Sequence, residues 1–170
     1  YDLNADEMLD DTVTVYLRNA TFPFVKIDSS KKELYGPGTG QYFSFNNAQN
    51  GVPYYIQVKH RNALETWSAD PVTFVSDAAS IAFSVDAIYA FGNNEIHVDD
   101  DPYNVFAFYS GDINQDGTID ASDLSGVEND VAGSATGYVP TDLNGDDFVD
   151  ASDLSIVENN VALGVNVITP

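Results

Sequence analysis

Cysteine is absent from this 170-residue sequence, so no disulfide bond stabilises the fold and no thiol chemistry is possible. No run of about 18 apolar residues occurs either, which excludes a membrane-spanning helix. Basic residues are few, because six Lys and Arg stand against 27 Asp and Glu, for a formal net charge of −21 at pH 7. A chain this acidic is repelled by nucleic acid and by anionic membranes, so neither is an expected partner.

Basic residues are missing altogether from the second part of the chain. All six lie within the first 61 residues, and none occurs from residue 62 to residue 170. A compact fold with so many unpaired carboxylates repels itself unless it gathers cations. The aliphatic residues of this segment argue against disorder, so the sequence predicts a folded segment that binds cations.

Catalytic motifs are also lacking. The two histidines, His60 and His97, lie in different segments, and the sequence has no Gly-x-Ser-x-Gly motif and no phosphate-binding loop. We therefore predict that the protein is not an enzyme.

An internal repeat occupies the acidic segment. Residues 112–133 read DINQDGTIDASDLSGVENDVAG, and residues 142–163 read DLNGDDFVDASDLSIVENNVAL, at an offset of 30 residues. Each copy is a polar loop followed by a short amphipathic helix that ends near Gly133 or Gly164. The apolar stripes of the two helices are Leu124, Val127 and Val131, and Leu154, Val157 and Val161. Neither helix can bury its stripe alone, so the two copies are expected to pack on each other.

Each polar loop has the ligand spacing of an EF-hand calcium loop, which takes oxygen ligands from positions 1, 3, 5, 7, 9 and 12 and uses the backbone carbonyl at position 7. The first loop supplies Asp112, Asn114, Asp116, Thr118, Asp120 and Asp123. The second loop supplies Asp142, Asn144, Asp146, Phe148, Asp150 and Asp153. Two loops in register, each followed by a helix, predict two bound Ca²⁺ ions that this segment needs in order to fold. The alternative is a pair of acidic Asx-turns without metal.

The two loops differ at position 6, where an EF-hand loop requires Gly because the backbone has a positive φ. The first loop has Gly117, but the second has Asp147, so a weaker second site is expected. Position 12 is Asp in both loops, which favours a tighter site than the longer Glu. Ile119 and Val149, at position 8, are expected to supply the apolar contact between the loops.

Residues 111 to 170 resemble a dockerin, on the motifs GDINQDGTIDASDL and TDLNGDDFVDASDL. The resemblance implies a calcium-dependent module of secreted bacterial proteins that binds a cohesin domain. It also implies that positions 10 and 11 of each loop contact the partner. Those positions are Ala121, Ser122, Ala151 and Ser152. Because the pairs are identical, either face is expected to bind. Many dockerins carry Lys or Arg on the recognition helix and this sequence has none, so the partner needs a less acidic or a basic surface.

The first 110 residues have strand-like patterns separated by turn clusters such as YGPGTG and NNAQNG. The predicted strands are 12–19, 40–45, 53–60, 72–75, 81–85 and 105–109. The predicted fold class is therefore mainly β: a β-sandwich of about six or seven strands in residues 1–110, followed by a small α-helical module in residues 111–170. No linker separates the two parts, so they are expected to pack as one body.

The stretch from TVTVYLRN to YYIQVKHRNALETWSA is similar to C-terminal regions of secreted proteins of the Ignavibacteria and Bacteroidota lineages. Those regions look like transthyretin-like or carboxypeptidase-regulatory-like sandwiches. They often carry one more strand before the equivalent of Thr12. We therefore expect either an excised fragment or a sandwich whose missing strand comes from elsewhere.

Other clusters have a functional and a structural interpretation. A sugar-binding patch is one interpretation of His60 and Arg61 with Glu65 and Trp67, but a strand-end turn is the favoured one. Tyr54 and Tyr55 are expected to pack in a strand. Two weaker metal candidates, each expected to be a solvated acidic segment, are His97 with residues 99–101, and Asp2, Asn4, Asp6 and Asp10.

These observations support three hypotheses. The leading one is a non-catalytic, extracellular or cell-surface module that binds calcium and docks onto a cohesin-like protein partner. The second is a self-assembling fibre or surface-layer subunit, in which the tail 165–169 adds as a strand to another copy and calcium bridges acidic surfaces. The third is a carbohydrate-binding module that uses Trp67 and the tyrosines.

Overall fold

Alternating apolar residues build a five-stranded antiparallel sheet in the first part of the computed structural model, which describes residues 11–34, 42–99 and 104–170. Its strands are β1 (Asp11–Asn19), β2 (Lys26–Leu34), β3 (Pro53–Lys59), β4 (Thr66–Trp67) and β5 (Val72–Thr73). The order is β2-β1-β3-β4, and β5 also pairs with β3. Val15 lies opposite Val58 and Leu17 lies opposite Ile56, so β1 and β3 present their apolar residues on one face.

Loop residues cover most of this apolar face. The buried core consists of Val15, Leu17, Tyr54, Ile56 and Val58. The partly buried aromatic residues packed against it are Phe43, Phe45, Phe74, Phe83 and Phe108. The first part of the chain is therefore mainly β, but much of the layer opposite the sheet is made of side chains from irregular segments.

Two predicted strands are wrong in the part of the chain that the structure describes. Residues 81–85 form no strand, and residues 83–85 form a turn. Phe83 still packs edge-on against Phe108, with ring centroids 5.3 Å apart, so its apolar signal reflects burial and not pairing. Of the predicted strand 40–45, residues 42–45 are irregular, and residues 40 and 41 lie outside the described residues.

Three further strands were not predicted from the sequence. The short strand β4 was one, and β6 (Ile96–Asp99) was another; β6 pairs with β7 (Val105–Ala107) in a separate two-stranded sheet. The third was the edge strand β2, in which Asp28, Ser30 and Lys32 lie opposite the apolar residues of β1. Charged residues on the inward face of an edge strand discourage the addition of another strand. This edge therefore gives no support to self-assembly by strand addition.

Two helices follow, α1 (Ala121–Gly133) and α2 (Ala151–Leu163). Asp120 and Asp150 cap their N-termini. Gly164 takes the left-handed conformation that ends α2, with φ 65°, as predicted. At the end of α1, Ser134 takes that conformation, and Gly133 is the last helical residue. In the described part of the chain, neither helix is long and apolar enough to cross a membrane.

The apolar stripes of the two helices pack on each other, as the repeat predicted. Val127 and Val157 are completely buried in a core that also contains Ile119 and Val149. The fifth buried residue of this core is Leu64, which is 1% exposed and comes from the first part of the chain. The helical core is therefore completed by a side chain from outside the repeat.

Hydrogen bonds from the segment that precedes Leu64 reinforce this junction. The backbone carbonyl of Asn62 accepts the N–H of Gly111 at 2.6 Å. The buried side-chain amide of Asn62 donates to the carbonyl of Asp142 at 2.8 Å. One residue thus binds the start of both repeats.

A cluster around Asp11 adds a second contact between the two parts. Asp11 lies 2.8 Å from Nε2 of His60 and 2.9 Å from Nε of Arg61, and it accepts the hydroxyl of Tyr138 at 2.7 Å. The Arg61 guanidinium also lies over the Tyr138 ring and donates to the carbonyl of Val139. Burial opposes ionisation of Asp11, but these partners outweigh it and lower its pKa.

Candidate calcium loops and docking surface

Each repeat folds its polar loop around the carboxylate at position 1. In the first loop, Asp112 accepts the backbone N–H groups of Asp116 and Gly117 at 3.1 and 3.2 Å. In the second loop, Asp142 accepts the N–H groups of Gly145 and Asp147 at 2.8 and 3.3 Å, so the bond from position 6 is common to both loops and the other donor differs. These bonds curl each loop back onto its first residue.

The carboxylate at position 12 closes each loop from the other side. Asp123 accepts the N–H groups of Ile113 and Asn114 with one oxygen, at 3.0 and 3.3 Å, and that of Asp120 with the other, at 3.0 Å. Asp153 makes the same three bonds at 2.7, 3.2 and 2.9 Å. The bond to position 9 is half of a capping box, so the residue that closes the loop also starts the helix.

Four carboxylates are thereby buried without a basic partner of their own. Asp112 is 2% exposed, and Asp123, Asp142 and Asp153 are completely buried. No Lys or Arg follows Arg61 in the sequence. A buried carboxylate is costly unless a counter-charge or hydrogen bonds stabilise it, and here the hydrogen bonds come from backbone N–H groups.

The electrostatics of position 1 reflect this shortage of positive charge. Burial raises the pKa of Asp112 to about 6, and the nearby carboxylates of Asp123 and Asp116 raise it as well. Burial also raises the pKa of Asp142, where the Arg61 guanidinium acts in the opposite direction. Both positions therefore suit an added cation, and oxygen donors of this kind are the ligands that Ca²⁺ prefers.

The outer positions of the loops are arranged differently from the two deep carboxylates. Asn114, Asp116 and Asp120 each accept the backbone N–H two residues further on, at 2.7 to 3.0 Å, as in an Asx-turn. In residues 11–34, 42–99 and 104–170, no three acidic or histidine side chains lie close enough together to hold a metal ion. The structure brings two predicted ligands of each loop into its interior and leaves positions 3, 5 and 9 in local turns. At position 7, Thr118 and Phe148 form β-bridges to Asn166 and Thr136.

The residues at position 8 enter one core, because Ile119 is 1% exposed and Val149 is 4% exposed. Their backbone bonds run to the segments that follow the helices. Ile119 donates to the carbonyl of Val165 at 3.1 Å, and Val149 donates to that of Ala135 at 3.0 Å. Each loop thus pairs with the segment after the other repeat's helix. The tail predicted as a donor strand for another copy is engaged within its own chain at Val165.

Two left-handed residues shape each loop, at positions 4 and 6. They are Gln115 and Gly117 in the first loop, with φ 60° and 90°, and Gly145 and Asp147 in the second, with φ 81° and 74°. Gly at position 6 of the first loop and at position 4 of the second avoids the cost that other residues bear in this conformation. Of these two positions, only position 6 was predicted from the sequence.

Gln115 has a further role that was not predicted from the sequence. Its amide donates to the carbonyl of Asp112 at 2.7 Å and reaches the carbonyls of Ala63 and Arg61 at 3.3 and 3.4 Å. The first loop therefore contacts the first part of the chain through position 4. The signal was the difference between Gln115 and Gly145 at equivalent positions of the repeat.

Replacing Asp147 by Gly is expected to tighten calcium binding at the second loop by about fivefold, because it relieves about 1 kcal/mol of left-handed strain. Isothermal titration calorimetry of both proteins measures the change. The matched variant is Gly117→Asp in the first loop, where the new Cβ would lie 3.0 Å from Cγ1 of Val167. That variant should lose more affinity than Asp147→Gly gains. Equal affinities for Asp147→Gly and wild type would show that the position is unstrained.

The four residues predicted to contact a partner are all exposed. Ala121 and Ser122 begin α1, and Ala151 and Ser152 begin α2. The hydroxyl of Ser122 donates to Asp120 at 2.7 Å. Both pairs stand directly after the loops, so the conformation of each loop fixes how its pair is presented.

The Trp67 ring offers no exposed face on which a sugar could stack. This side chain is 6% exposed, its indole N–H donates to Glu65, and the Arg18 guanidinium lies 5.5 Å from the ring centroid. Tyr54 is 4% exposed, and the Tyr55 ring packs edge-on against Trp67. A sugar needs an exposed ring face, so these aromatic residues act in packing.

The two weaker metal candidates lie partly or wholly outside the described residues. The His97 ring packs at a tilt of 58° against Phe106, with ring centroids 5.1 Å apart, and residues 100 and 101 lie outside the described residues. The acidic segment 2–10 lies outside them as well.

The comparison with known protein families agrees with the repeat geometry. The family model of the dockerin type I domain matches residues 110–162, which is less than a third of the chain. Comparison with curated proteins and with solved structures finds no match. Type I dockerins bind calcium and are non-catalytic docking domains whose typical partner is a cohesin. The dockerin part of the sequence resemblance is thereby confirmed.

Proposed function

We propose that this protein is a non-catalytic, extracellular or cell-surface module that docks onto a cohesin-like protein partner when its repeat binds calcium. The match of residues 110–162 to the dockerin type I family carries this proposal. It is supported by two loops that share the bond from the N–H of position 6 to the carboxylate of position 1 and the three bonds to the carboxylate of position 12. The first part of the chain serves in this proposal as the rigid support of the repeat.

Two Ca²⁺ ions would neutralise the charge of the loops. The residues proposed to hold the first ion are Asp112, Asn114, Asp116, Thr118 through its carbonyl, Asp120 and Asp123. Those proposed to hold the second are Asp142, Asn144, Asp146, Phe148 through its carbonyl, Asp150 and Asp153. The buried acids at positions 1 and 12 support this assignment, since they lie among like charges in a segment without basic residues.

The docking surface in this proposal is the start of either helix. The pairs Ala121-Ser122 and Ala151-Ser152 are small and exposed, so a partner can approach the helix backbone closely. Both helices carry acidic residues and no basic ones, which calls for a partner with a basic or weakly acidic surface.

Blocking one docking pair should leave binding nearly unchanged, because the other pair can still dock. Blocking both should weaken binding by more than about thirtyfold, because interface centres carry most of the binding energy. The first variant is Ala121→Arg with Ser122→Arg, the second is Ala151→Arg with Ser152→Arg, and the third combines them. Affinity for a panel of type I cohesin domains is measured by calorimetry with Ca²⁺ and with chelator.

The chain offers a matched control in Ala79 and Ser80, an exposed pair that lies outside both helices. Changing both to Arg adds the same charge and bulk and should leave affinity as in wild type. The proposal fails if no cohesin binds in a calcium-dependent way. The two-face assignment alone fails if the combined variant still binds.

A further inference from the structure

A tight loop outside the repeat brings two acidic residues together. Asp86 caps the short 3₁₀ helix Ala87–Tyr89, and its Oδ1 accepts the N–H of Ile88 at 3.1 Å. A second 3₁₀ turn, Phe91–Asn93, reverses the chain before Glu95. Asp86 and Glu95 thus stand at the two ends of one compact turn.

Glycine is required within this turn. Gly92 has φ 68°, and a Cβ at this position would lie 2.8 Å from Cγ2 of Ile168 in the C-terminal tail. Asn94 donates to the carbonyl of Asn166 at 3.0 Å. The turn is therefore held against the tail and has little freedom to open and expose Glu95.

Glu95 is buried without a partner. The residue is 6% exposed, and neither Oε1 nor Oε2 has a hydrogen-bond partner among the described residues. The charge that acts on it most clearly is the carboxylate of Asp86, which has the same sign; burial first and this charge second raise the pKa of Glu95 to about 8. A carboxylate in this position needs either a proton or a cation.

We propose that Glu95 and Asp86 form a third cation site that takes a hard divalent ion such as Ca²⁺. The geometry behind this assignment is the pair of unpartnered, inward-facing oxygens of Glu95 beside a second carboxylate. Asp86 uses one oxygen for its helix cap, and the described residues supply no partner to the other. A cation at this point attracts both carboxylates and so offsets the repulsion between them. Carboxylate oxygens are the ligands that Ca²⁺ prefers.

The consequence of such an ion lies in what the turn contacts. Ala90 bridges to Ser68 beside β4, so the turn is attached to the five-stranded sheet. Through Asn166 it is attached to the tail, and the same residue bridges to Thr118 in the first calcium loop. The third ion would therefore stiffen a path that joins the sheet to the repeat.

Calorimetric titration of Ca²⁺ into the chelator-stripped full chain tests the site. Wild type is expected to bind three ions and Glu95→Gln two, while Asp86→Asn keeps a third site weakened at least tenfold. Asp70→Asn removes an exposed acid from the same half of the chain and is expected to bind three ions, as wild type does. These counts rest on the proposed function, in which the repeat binds two ions; equal numbers of bound ions in wild type and Glu95→Gln would overturn the third site, whatever the repeat binds.

A second measurement uses the wild type alone, so it does not depend on whether the variants fold. The side-chain carboxyl carbon of Glu95 is followed by ¹³C NMR from pH 5 to 9, with and without Ca²⁺. The site predicts that Ca²⁺ displaces the proton, so the resonance of the ionised form appears at a lower pH when Ca²⁺ is present. A titration curve that Ca²⁺ does not move would show that a proton alone occupies Glu95.

Discussion

Removal of calcium is expected to unfold the helical repeat and to lower the free energy of unfolding of the chain by about 4 kcal/mol for each ion held at a thousandfold excess over its dissociation constant. The reason is the burial of Asp112, Asp123, Asp142 and Asp153, which are at most 2% exposed in a segment without Lys or Arg. Without the ions, repulsion between these carboxylates destabilises the folded loops, which the hydrogen bonds from backbone N–H groups hold together.

Far-ultraviolet circular dichroism measures this effect during titration with a calcium chelator. The helical signal of α1 and α2 should disappear with chelator and return with excess Ca²⁺, while the same concentration of Mg²⁺ should restore less of it, because Mg²⁺ demands a smaller, octahedral site. Equal helix content and equal thermal stability with and without chelator would contradict the calcium requirement.

A single substitution should reproduce part of the chelator effect. Asp123→Asn replaces a carboxylate that closes the first loop and half of the capping box of α1. Glu128→Gln is the matched control, because it removes one charge from an exposed position of the same helix. Helix content without chelator should fall in the first variant and stay at the wild-type value in the second.

The repeat was predictable because its signals are local. The start of each helix follows from a short sequence, since Asp at position 9 and Asp at position 12 satisfy the first backbone N–H groups within four residues of each other. The apolar stripes predicted the packing of Val127 on Val157 for the same reason. The left-handed conformation at position 4 was not predicted, because the Gln115 side chain is held by carbonyls about 50 residues away in the sequence.

The first part of the chain was harder to predict because its strands depend on partners distant in sequence. The polar strand β2 carries no apolar alternation and is held by its ladder to β1. Phe83 has the opposite problem, since its apolar neighbours suggest a strand although it packs in a turn. Glu95 gave no sequence signal, because its burial results from contacts of the turn with the sheet and with the tail.

Leu64→Ala is expected to lower the free energy of unfolding of the whole chain by about 2 to 5 kcal/mol, the range for large-to-small substitutions in a packed core. Leu64 is 1% exposed and lies in the same core as Ile119, Val127, Val149 and Val157, although it belongs to the segment that precedes β4. Its loss leaves a cavity in the repeat that the helices cannot close, because Asn62 fixes the backbone on both sides of the junction.

The matched control is Leu163→Ala, which removes the same atoms from a side chain that is 61% exposed and should change stability by less than about 0.5 kcal/mol. Urea unfolding is followed by two signals: the fluorescence of the single tryptophan, Trp67, for the sheet, and circular dichroism for the helices. If the shared core makes the two parts one cooperative unit, both signals should shift together in Leu64→Ala. A helical transition that moves while the Trp67 transition stays in place would show instead that the sheet folds independently and that Leu64 stabilises the repeat alone.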